Sequence, residues 1–249
     1  VAFVIGFLIG PIVSSVLNFS ALFLLLFIFG ILAIITTIIF YPERIEEETN
    51  TTENNKFTIS KELVKIYLSS FMLSLILSIF LFIYPLFWKF LEVPEMSLSI
   101  VYLIIFLPAA IFIYPSIRYL EKRNKLNLAI KSGCIFLSVG FLYFIFQEQS
   151  ELTLYCLGIF FFLGITIFQS VLPSLLSLYV PDKMRATGTG PYYILSFMGH
   201  AIGSISAGYI YSRSLLFGMP SSYVLIIISS IILLAWAIIG VPIYNNKKN

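Results

Sequence analysis

Residues 66–88, IYLSSFMLSLILSIFLFIYPLFW, contain no charged side chain. A helix needs about 20 mainly apolar residues to cross the hydrocarbon core of a bilayer, and this run reaches that length. Its apolar residues are continuous and do not alternate with a period of two, which argues against a strand of a membrane barrel. The stretch therefore predicts a membrane-spanning helix.

The rest of the chain repeats this pattern. Of its 249 residues, 59 % are hydrophobic and 11 % are charged, and the mean hydropathy is +1.00. A soluble domain has about 25 % charged residues, so this chain could not cover a water-facing surface. We predict spans over residues 1–17, 21–41, 66–88, 98–117, 130–146, 152–179, 187–211 and 223–244. The predicted fold is an all-α membrane bundle of about eight helices.

The positive charges fall mainly on one side of these spans. Thirteen of the 15 Lys and Arg residues lie after the second, fourth and sixth spans or in the tail, which are all on one side of the membrane. Lys89 and Arg213 lie in loops on the other side. Because basic loops stay in the cytoplasm, we expect both ends of this chain to be cytoplasmic. The net charge of +3 reflects this bias and not a clustered basic face, so no nucleic-acid partner is expected.

One connection is much longer than the others. Residues 42–65 include Glu46, Glu47 and Glu48 followed by a polar run, and such low hydrophobicity with high charge is typical of a solvated linker. We therefore divide the chain into two helices in residues 1–41, a cytoplasmic loop in 42–65 and six helices in 66–249. The chain begins at Val1 inside an apolar run, so we expect further sequence upstream.

The predicted spans contain few residues that could act in catalysis or bind a metal. No Asp or Glu lies in a predicted span, and His200 is the single histidine of the sequence. Cys134 and Cys156 lie in apolar runs without a second ligand at metal spacing, so we expect no disulfide, metal or other cofactor. No HExxH, P-loop or GxSxG motif is present. The sequence thus predicts a protein that is not an enzyme.

Uncharged polar residues recur within the spans and are candidates for lining a polar path. The serines of residues 66–88 repeat every four residues from Ser70, so they form one stripe on the helix. They either bond to their own backbone or to a neighbouring helix, or they line an aqueous path, and the sequence leaves these interpretations open. The amide of Gln169 needs several hydrogen-bond partners in hydrocarbon. The candidates are Ser70, Ser74, Tyr84, Gln169, Tyr192, Ser196 and His200.

His200 is the span residue that titrates most readily near neutral pH. An ionisable residue at membrane depth is by default a candidate for a functional site. It either contacts protons or substrate, or is a neutral histidine that hydrogen-bonds to another helix. Gly199, Gly203 and Ala207 form a small-residue stripe beside it, so we expect this helix to pack closely against a neighbour.

Residues 6–17, GFLIGPIVSSVL, contain a GxxxGP run in the first span. Gly6 and Gly10 share one helix face and let another backbone approach, while Pro11 removes a backbone hydrogen bond and can bend the helix. The run resembles the antiporter signature in the fifth helix of major facilitator superfamily transporters, although Ser14 and Ser15 stand where glycines are usual.

A second resemblance lies near the other end of the chain. Residues 172–177, LPSLLS, and residues 185–190, RATGTG, followed by Gly199, resemble the tenth-to-eleventh helix region of YajR-type bacterial inner-membrane transporters. Gln169 stands just before the first of these runs, where YajR-type members carry a glutamate. That position cannot titrate in this chain.

The resemblance implies a fold, an activity and a location. The chain looks like helices five to twelve of a twelve-helix transporter that acts as a monomer in the bacterial inner membrane. It implies proton-coupled efflux of small molecules by alternating access, with Gly6, Gly10 and Pro11 as packing or gating positions. Two alternatives stay open: an uptake permease of the same superfamily, and a non-transporting remnant or assembly partner that keeps the fold.

Overall fold

The computed structural model describes residues 19–40, 59–91, 95–123, 125–146, 150–181, 184–213, 215–216 and 219–239. Its contacts divide the chain into two units, Val1–Thr58 and Ile59–Asn249. The predicted span 1–17, with Gly6, Gly10 and Pro11, lies outside the described residues, and so does most of the predicted linker.

The described part of the first unit is helix α1 (Phe19–Phe40). Its residues are apolar on every side apart from a few small polar ones, as expected of a helix that crosses a bilayer. The hydroxyl of Thr36 donates to the Leu32 carbonyl at 2.9 Å, and that of Thr37 donates to the Ala33 carbonyl at 2.8 Å. Both hydroxyls are thus satisfied within the helix, as the hydrocarbon core requires.

The second unit is helical apart from one very short ladder, within the residues that the structure describes. In chain order its elements are α2 (Lys61–Phe90), α3 (Glu95–Pro108), a π-helical turn (Ala109–Ile113), α4 (Tyr114–Lys122), α5 (Leu126–Phe146), α6 (Glu151–Tyr179), α7 (Arg185–Tyr211), β1 (Leu215–Leu216), β2 (Met219–Pro220) and α8 (Ser221–Ile239). Strands β1 and β2 pair antiparallel, with Leu215 opposite Pro220. The predicted all-α fold is confirmed.

Helix α2 begins earlier than its apolar run because a cap precedes it. The Ser60 hydroxyl accepts a hydrogen bond from the Leu63 N–H at 3.2 Å, which satisfies one of the free donors of the first turn. Glu62 in the first turn and Lys89 in the last have the signs that suit the helix dipole. Residues 61–65, predicted to belong to the loop, are therefore helical, and several charges lie on helix ends.

Four helical stretches are long and apolar enough to cross a membrane in the part of the chain that the structure describes. They are Phe23–Phe40, Lys61–Lys89, Ile100–Leu120 and Glu151–Tyr179. Helices α5 and α8 contain shorter apolar stretches. Helix α7 is long, but its glycines, serines, tyrosines and single histidine lower its hydropathy. Four of the eight predicted spans thus have the length and composition of spans, and the other four stay predictions.

The third of these spans has an irregular centre. Pro108 ends α3, the π-helical turn follows, and Pro115 lies near the start of α4. A proline has no N–H and its ring collides with the carbonyl one turn earlier. A wider π turn between the two prolines lets the chain continue across without ending the helix.

Helix α2 is central to the second unit and packs against α6, α7 and α8. Its apolar side chains, such as that of Ile76, are fully buried. Among the hydrogen bonds that join its first half to other helices, the Tyr67 hydroxyl donates to the Gly188 carbonyl at 2.6 Å, and the Trp236 indole N–H donates to the Ser69 hydroxyl at 3.0 Å. These contacts hold α2 in register with α7 and α8.

A polar cavity between three helices as the candidate functional site

Three hydrogen bonds between helices α2 and α7 join residues that are the same number of positions apart in the sequence. The bonds are Ser70 Oγ to the Tyr192 carbonyl (3.0 Å), Ser74 Oγ with Ser196 Oγ (2.7 Å) and Ser78 Oγ to the His200 carbonyl (3.0 Å). Each serine bonds to the residue 122 positions later in the chain. Because residue numbers rise together along both helices, α2 and α7 run parallel and begin at the same end of the bundle.

Two glycines of α7 make this close approach possible. A Cβ on Gly203 would lie 2.6 Å from the Leu75 carbonyl oxygen, and one on Gly199 would collide with the Phe71 carbonyl oxygen. Ala207, the next small residue of the stripe, is fully buried. Small residues let two helix backbones meet in this way in membranes. The predicted close packing of this helix is confirmed.

A polar cavity of about 70 Å³ lies beside this helix pair, between α2, α6 and α7. Six of the seven predicted path residues line it: Ser70, Ser74, Gln169, Tyr192, Ser196 and His200. Leu73, Leu77, Ile165 and Leu172 complete its wall. The space is large enough for a few water molecules, and the lining offers hydroxyl, amide and imidazole groups to them. The arrangement can therefore hydrogen-bond a small polar group without meeting a fixed charge.

The cavity lies near the middle of the helices that form it. Ser74 is close to the centre of α2, and Ser196 is close to the centre of α7. In a membrane this corresponds to the depth at which secondary transporters hold their substrates.

Both interpretations of the serine stripe, helix packing and cavity lining, apply to its first two serines. Ser70 and Ser74 bond to α7 and also line the cavity. Ser78 bonds only on the packing side, to the His200 carbonyl and the Ser204 hydroxyl, and does not line the cavity. The stripe is thus a packing feature for its whole length and a cavity wall for its first two members.

Tyr84, the seventh predicted path residue, lies away from this cavity. Its side chain is completely buried, and its hydroxyl donates to the Leu154 carbonyl on α6 at 3.0 Å. Its ring stacks on Phe80 with centroids 4.9 Å apart. In this structure Tyr84 ties α2 to α6 within an aromatic cluster, and it lines a small void of about 10 Å³.

A second cavity, of about 190 Å³, lies between the end of α6 and the start of α7. Arg185 and Thr189 line it, and Tyr192 lines both cavities. Of the residues that line this cavity, Tyr192 alone was predicted as part of a site. A signal was present, because residues at i, i+4 and i+7 share one helix face and these three residues have that spacing.

Among the described residues, no group of His, Cys, Asp and Glu is placed to hold a metal ion. Cys134 and Cys156 are free thiols. The lining of the cavity supplies hydroxyl, amide and imidazole groups, which can donate and accept hydrogen bonds.

A family model for the Major Facilitator Superfamily matches residues 1–204. The chain belongs to the major facilitator superfamily. The match extends from the first residue through the cavity-lining part of α7. Comparisons with curated proteins and with solved structures find no match.

Membership of the major facilitator superfamily indicates the general role of this protein. It is a multi-pass membrane protein and a secondary transporter, from a family that is generally not enzymatic. The all-α architecture and the four long apolar helical stretches agree with this.

Proposed function

We propose that this superfamily member exports small molecules from a bacterial cell in exchange for protons. Export proceeds by alternating access, and the polar cavity is part of the substrate path. The observation that carries the proposal is the cavity itself, in which six polar side chains from three helices meet near mid-membrane depth. The protein acts as a monomeric permease of the inner membrane and not as an enzyme.

His200 is the residue to which we assign the proton. It is half-buried and lines the cavity, and none of the other nine lining residues carries a carboxylate, an amine, a guanidinium or an imidazole. Gln169 lies across the same cavity, but its amide cannot exchange protons at neutral pH. An imidazole changes charge near neutral pH and can also donate a hydrogen bond to a substrate. Proton binding and substrate binding therefore meet at one side chain.

The orientation of the helices supports the proposed topology. Helices α2 and α7 run parallel, so Lys61 and Arg185 at their first residues share one end of the bundle. Of the two basic residues predicted on the opposite side, Lys89 lies in the last turn of α2 and Arg213 follows the end of α7. The basic-rich end is the cytoplasmic one by the charge rule, which puts both ends of this chain inside.

Antiport is supported by the sequence signature of the first span. The GxxxGP run, with Gly6, Gly10 and Pro11, resembles that of antiporters and is the basis for choosing export over import. The likeness of residues 172–177 and 185–190 to YajR-type transporters points the same way. We assign Gly6, Gly10 and Pro11 packing or gating roles in the first span.

Transport by everted membrane vesicles tests the proposal. Vesicles carrying the full chain are energised so that their lumen is acidic, and three radiolabelled probes are offered: benzenesulfonate (anion), chloramphenicol (neutral) and tetraphenylphosphonium (cation). We expect at least one probe to accumulate above vesicles that lack the protein, and nigericin with KCl to abolish the accumulation.

Two other outcomes would assign a different function. Accumulation only in right-side-out vesicles with an acidic exterior would make the protein an uptake permease. No gradient-dependent flux of any probe in either orientation would favour the non-transporting remnant.

A further inference from the structure

Five basic residues lie around the connection between α4 and α5, and all five are exposed. They are called the basic loop here: Arg118, Lys122, Arg123, Lys125 and Lys131. Glu121 is the single acidic residue of the sequence from residue 96 to residue 147, which holds no other basic residue than these five. Five positive charges and one negative charge give this part of the chain a net charge of +4, wherever the Glu121 carboxylate lies.

The connection between the two helices is tight, which brings these charges to one level. The Lys125 N–H donates to the Leu120 carbonyl of α4 at 2.8 Å, and the Leu128 N–H of α5 donates to the Lys125 carbonyl at 2.9 Å. At 1.5 Å per residue, Arg118 lies about 6 Å before the end of α4, and Lys131 lies about 8 Å beyond the start of α5. The headgroup layer of one bilayer leaflet is roughly 5–8 Å thick. The basic loop therefore spans about one headgroup layer.

Helix α5 presents exposed apolar side chains directly beside these charges. Leu128 lies three residues before Lys131, and Ile135 lies four residues after it, so the three side chains share one face of the helix. Leu128 and Ile135 are exposed, and Val139 extends the exposed face by one more turn. A lysine at such a position can lay its aliphatic stem on apolar surface and extend its ammonium group to the headgroups.

The stretch that leads into the basic loop from the other side has the same order. Ile111 and Phe112 of the π-helical turn are exposed, and Tyr119 follows them as an exposed aromatic residue near the end of α4. The Arg123 guanidinium lies over the Tyr119 ring, 4.5 Å from its centroid. Tyrosine is enriched where hydrocarbon meets the headgroups. Apolar, aromatic and basic residues thus succeed one another as hydrocarbon, interface and headgroups do in a leaflet.

From this arrangement we propose that the basic loop binds the headgroup of an anionic phospholipid, whose acyl chains lie along the exposed face of α5. Basic residues next to a membrane helix attract anionic lipids, and guanidinium and ammonium groups both bind phosphate. Charge complementarity selects an anionic partner, and the adjacent apolar face selects one with acyl chains. A soluble phosphate would satisfy only the first of these features. The inference does not rest on the proposed transport activity.

Native mass spectrometry of the full chain, purified in a neutral detergent, tests the site. Phosphatidylglycerol and phosphatidylcholine with identical acyl chains are added to separate samples at equal concentration, so that the added lipids differ in net charge. We expect the fraction of protein that carries phosphatidylglycerol to be about tenfold higher, because each basic residue at a membrane surface adds to the attraction. Glycerol 3-phosphate at the same concentration should not displace the lipid, because it has no acyl chains.

Two triple variants locate the binding. Lys122→Gln, Lys125→Gln and Lys131→Gln together should lower the preference for phosphatidylglycerol to about twofold or less. Lys61→Gln, Lys65→Gln and Lys89→Gln together remove the same charge from the ends of α2 and should leave the preference intact. Thermal unfolding of both variants without added lipid reports whether they fold.

Three results would overturn the site. One is equal binding of the two lipids by the unsubstituted chain, which does not depend on any variant. Another is an undiminished preference in the folded variant of the basic loop. The third is displacement of phosphatidylglycerol by glycerol 3-phosphate, which would assign the basic loop to a soluble phosphate.

Discussion

Gly203 and Gly208 lie on the same helix but in different surroundings. A Cβ on Gly203 meets the Leu75 backbone, whereas one on Gly208 meets nothing within 4 Å. Gly203→Ala should therefore lower the stability by about 1–3 kcal/mol through overpacking. Gly208→Ala should be neutral or stabilising by up to about 1 kcal/mol, because alanine favours the helix. Thermal unfolding of the two purified variants in one detergent compares them, and equal losses would contradict the close α2–α7 contact.

Single residues show what the sequence could predict about the site. Ser70, Ser74 and Ser196 were predictable because spacing by four residues fixes a helix face before any partner is known. Tyr84 lies on the same helix as Ser70 and Ser74 and also carries a hydroxyl, but that hydroxyl donates to the Leu154 carbonyl. No pattern in the sequence identifies which distant carbonyl a hydroxyl will meet. The faces of the helices could thus be predicted, and their partners could not.

The parallel pairing of α2 and α7 predicts which cysteines can be joined. In a background with Cys134→Ala and Cys156→Ala, Ser74→Cys with Ser196→Cys should form a disulfide readily, because the two hydroxyl oxygens are 2.7 Å apart. A protease site inserted between α6 and α7 gives the readout. The cleaved fragments should stay together only in the oxidised sample.

A mismatched pair provides the control for this register. Ser70→Cys with Ser204→Cys uses the same two helices, but Ser204 lies about 18 Å along α7 from Tyr192, the residue that pairs with Ser70. This pair should remain reduced. Cross-linking of the mismatched pair with the same efficiency would show that the two helices are not held in the described register.

The elements themselves were predictable to different degrees. The apolar runs located the helices, but their ends depend on local caps such as Ser60, and α2 starts at Lys61 instead of residue 66. The π-helical turn Ala109–Ile113 lies between Pro108 and Pro115. Two prolines in a span predict a distortion of some kind, but not its form.

Across the whole molecule, the charges predict which end of the bundle faces the cytoplasm. In a cysteine-free background, Lys89→Cys and Arg213→Cys should react with a membrane-impermeant maleimide on intact cells, since both positions are exposed on the predicted outer side. Lys125→Cys, exposed on the predicted inner side, should react only after lysis. Labelling of Lys125→Cys in intact cells, with no labelling of Lys89→Cys and Arg213→Cys, would show that the topology is the reverse of the predicted one.

The most direct test of proton-coupled transport compares His200→Ala with the unsubstituted chain in energised everted vesicles. If His200 carries the proton, gradient-driven accumulation of the transported probe should fall to the level of vesicles without the protein, while probe exchange without a gradient should persist. Ser206→Ala is the control, because its hydroxyl bonds to the Gly203 carbonyl of its own helix and does not line the cavity. Unchanged gradient-driven accumulation in a normally expressed His200→Ala protein would contradict the account.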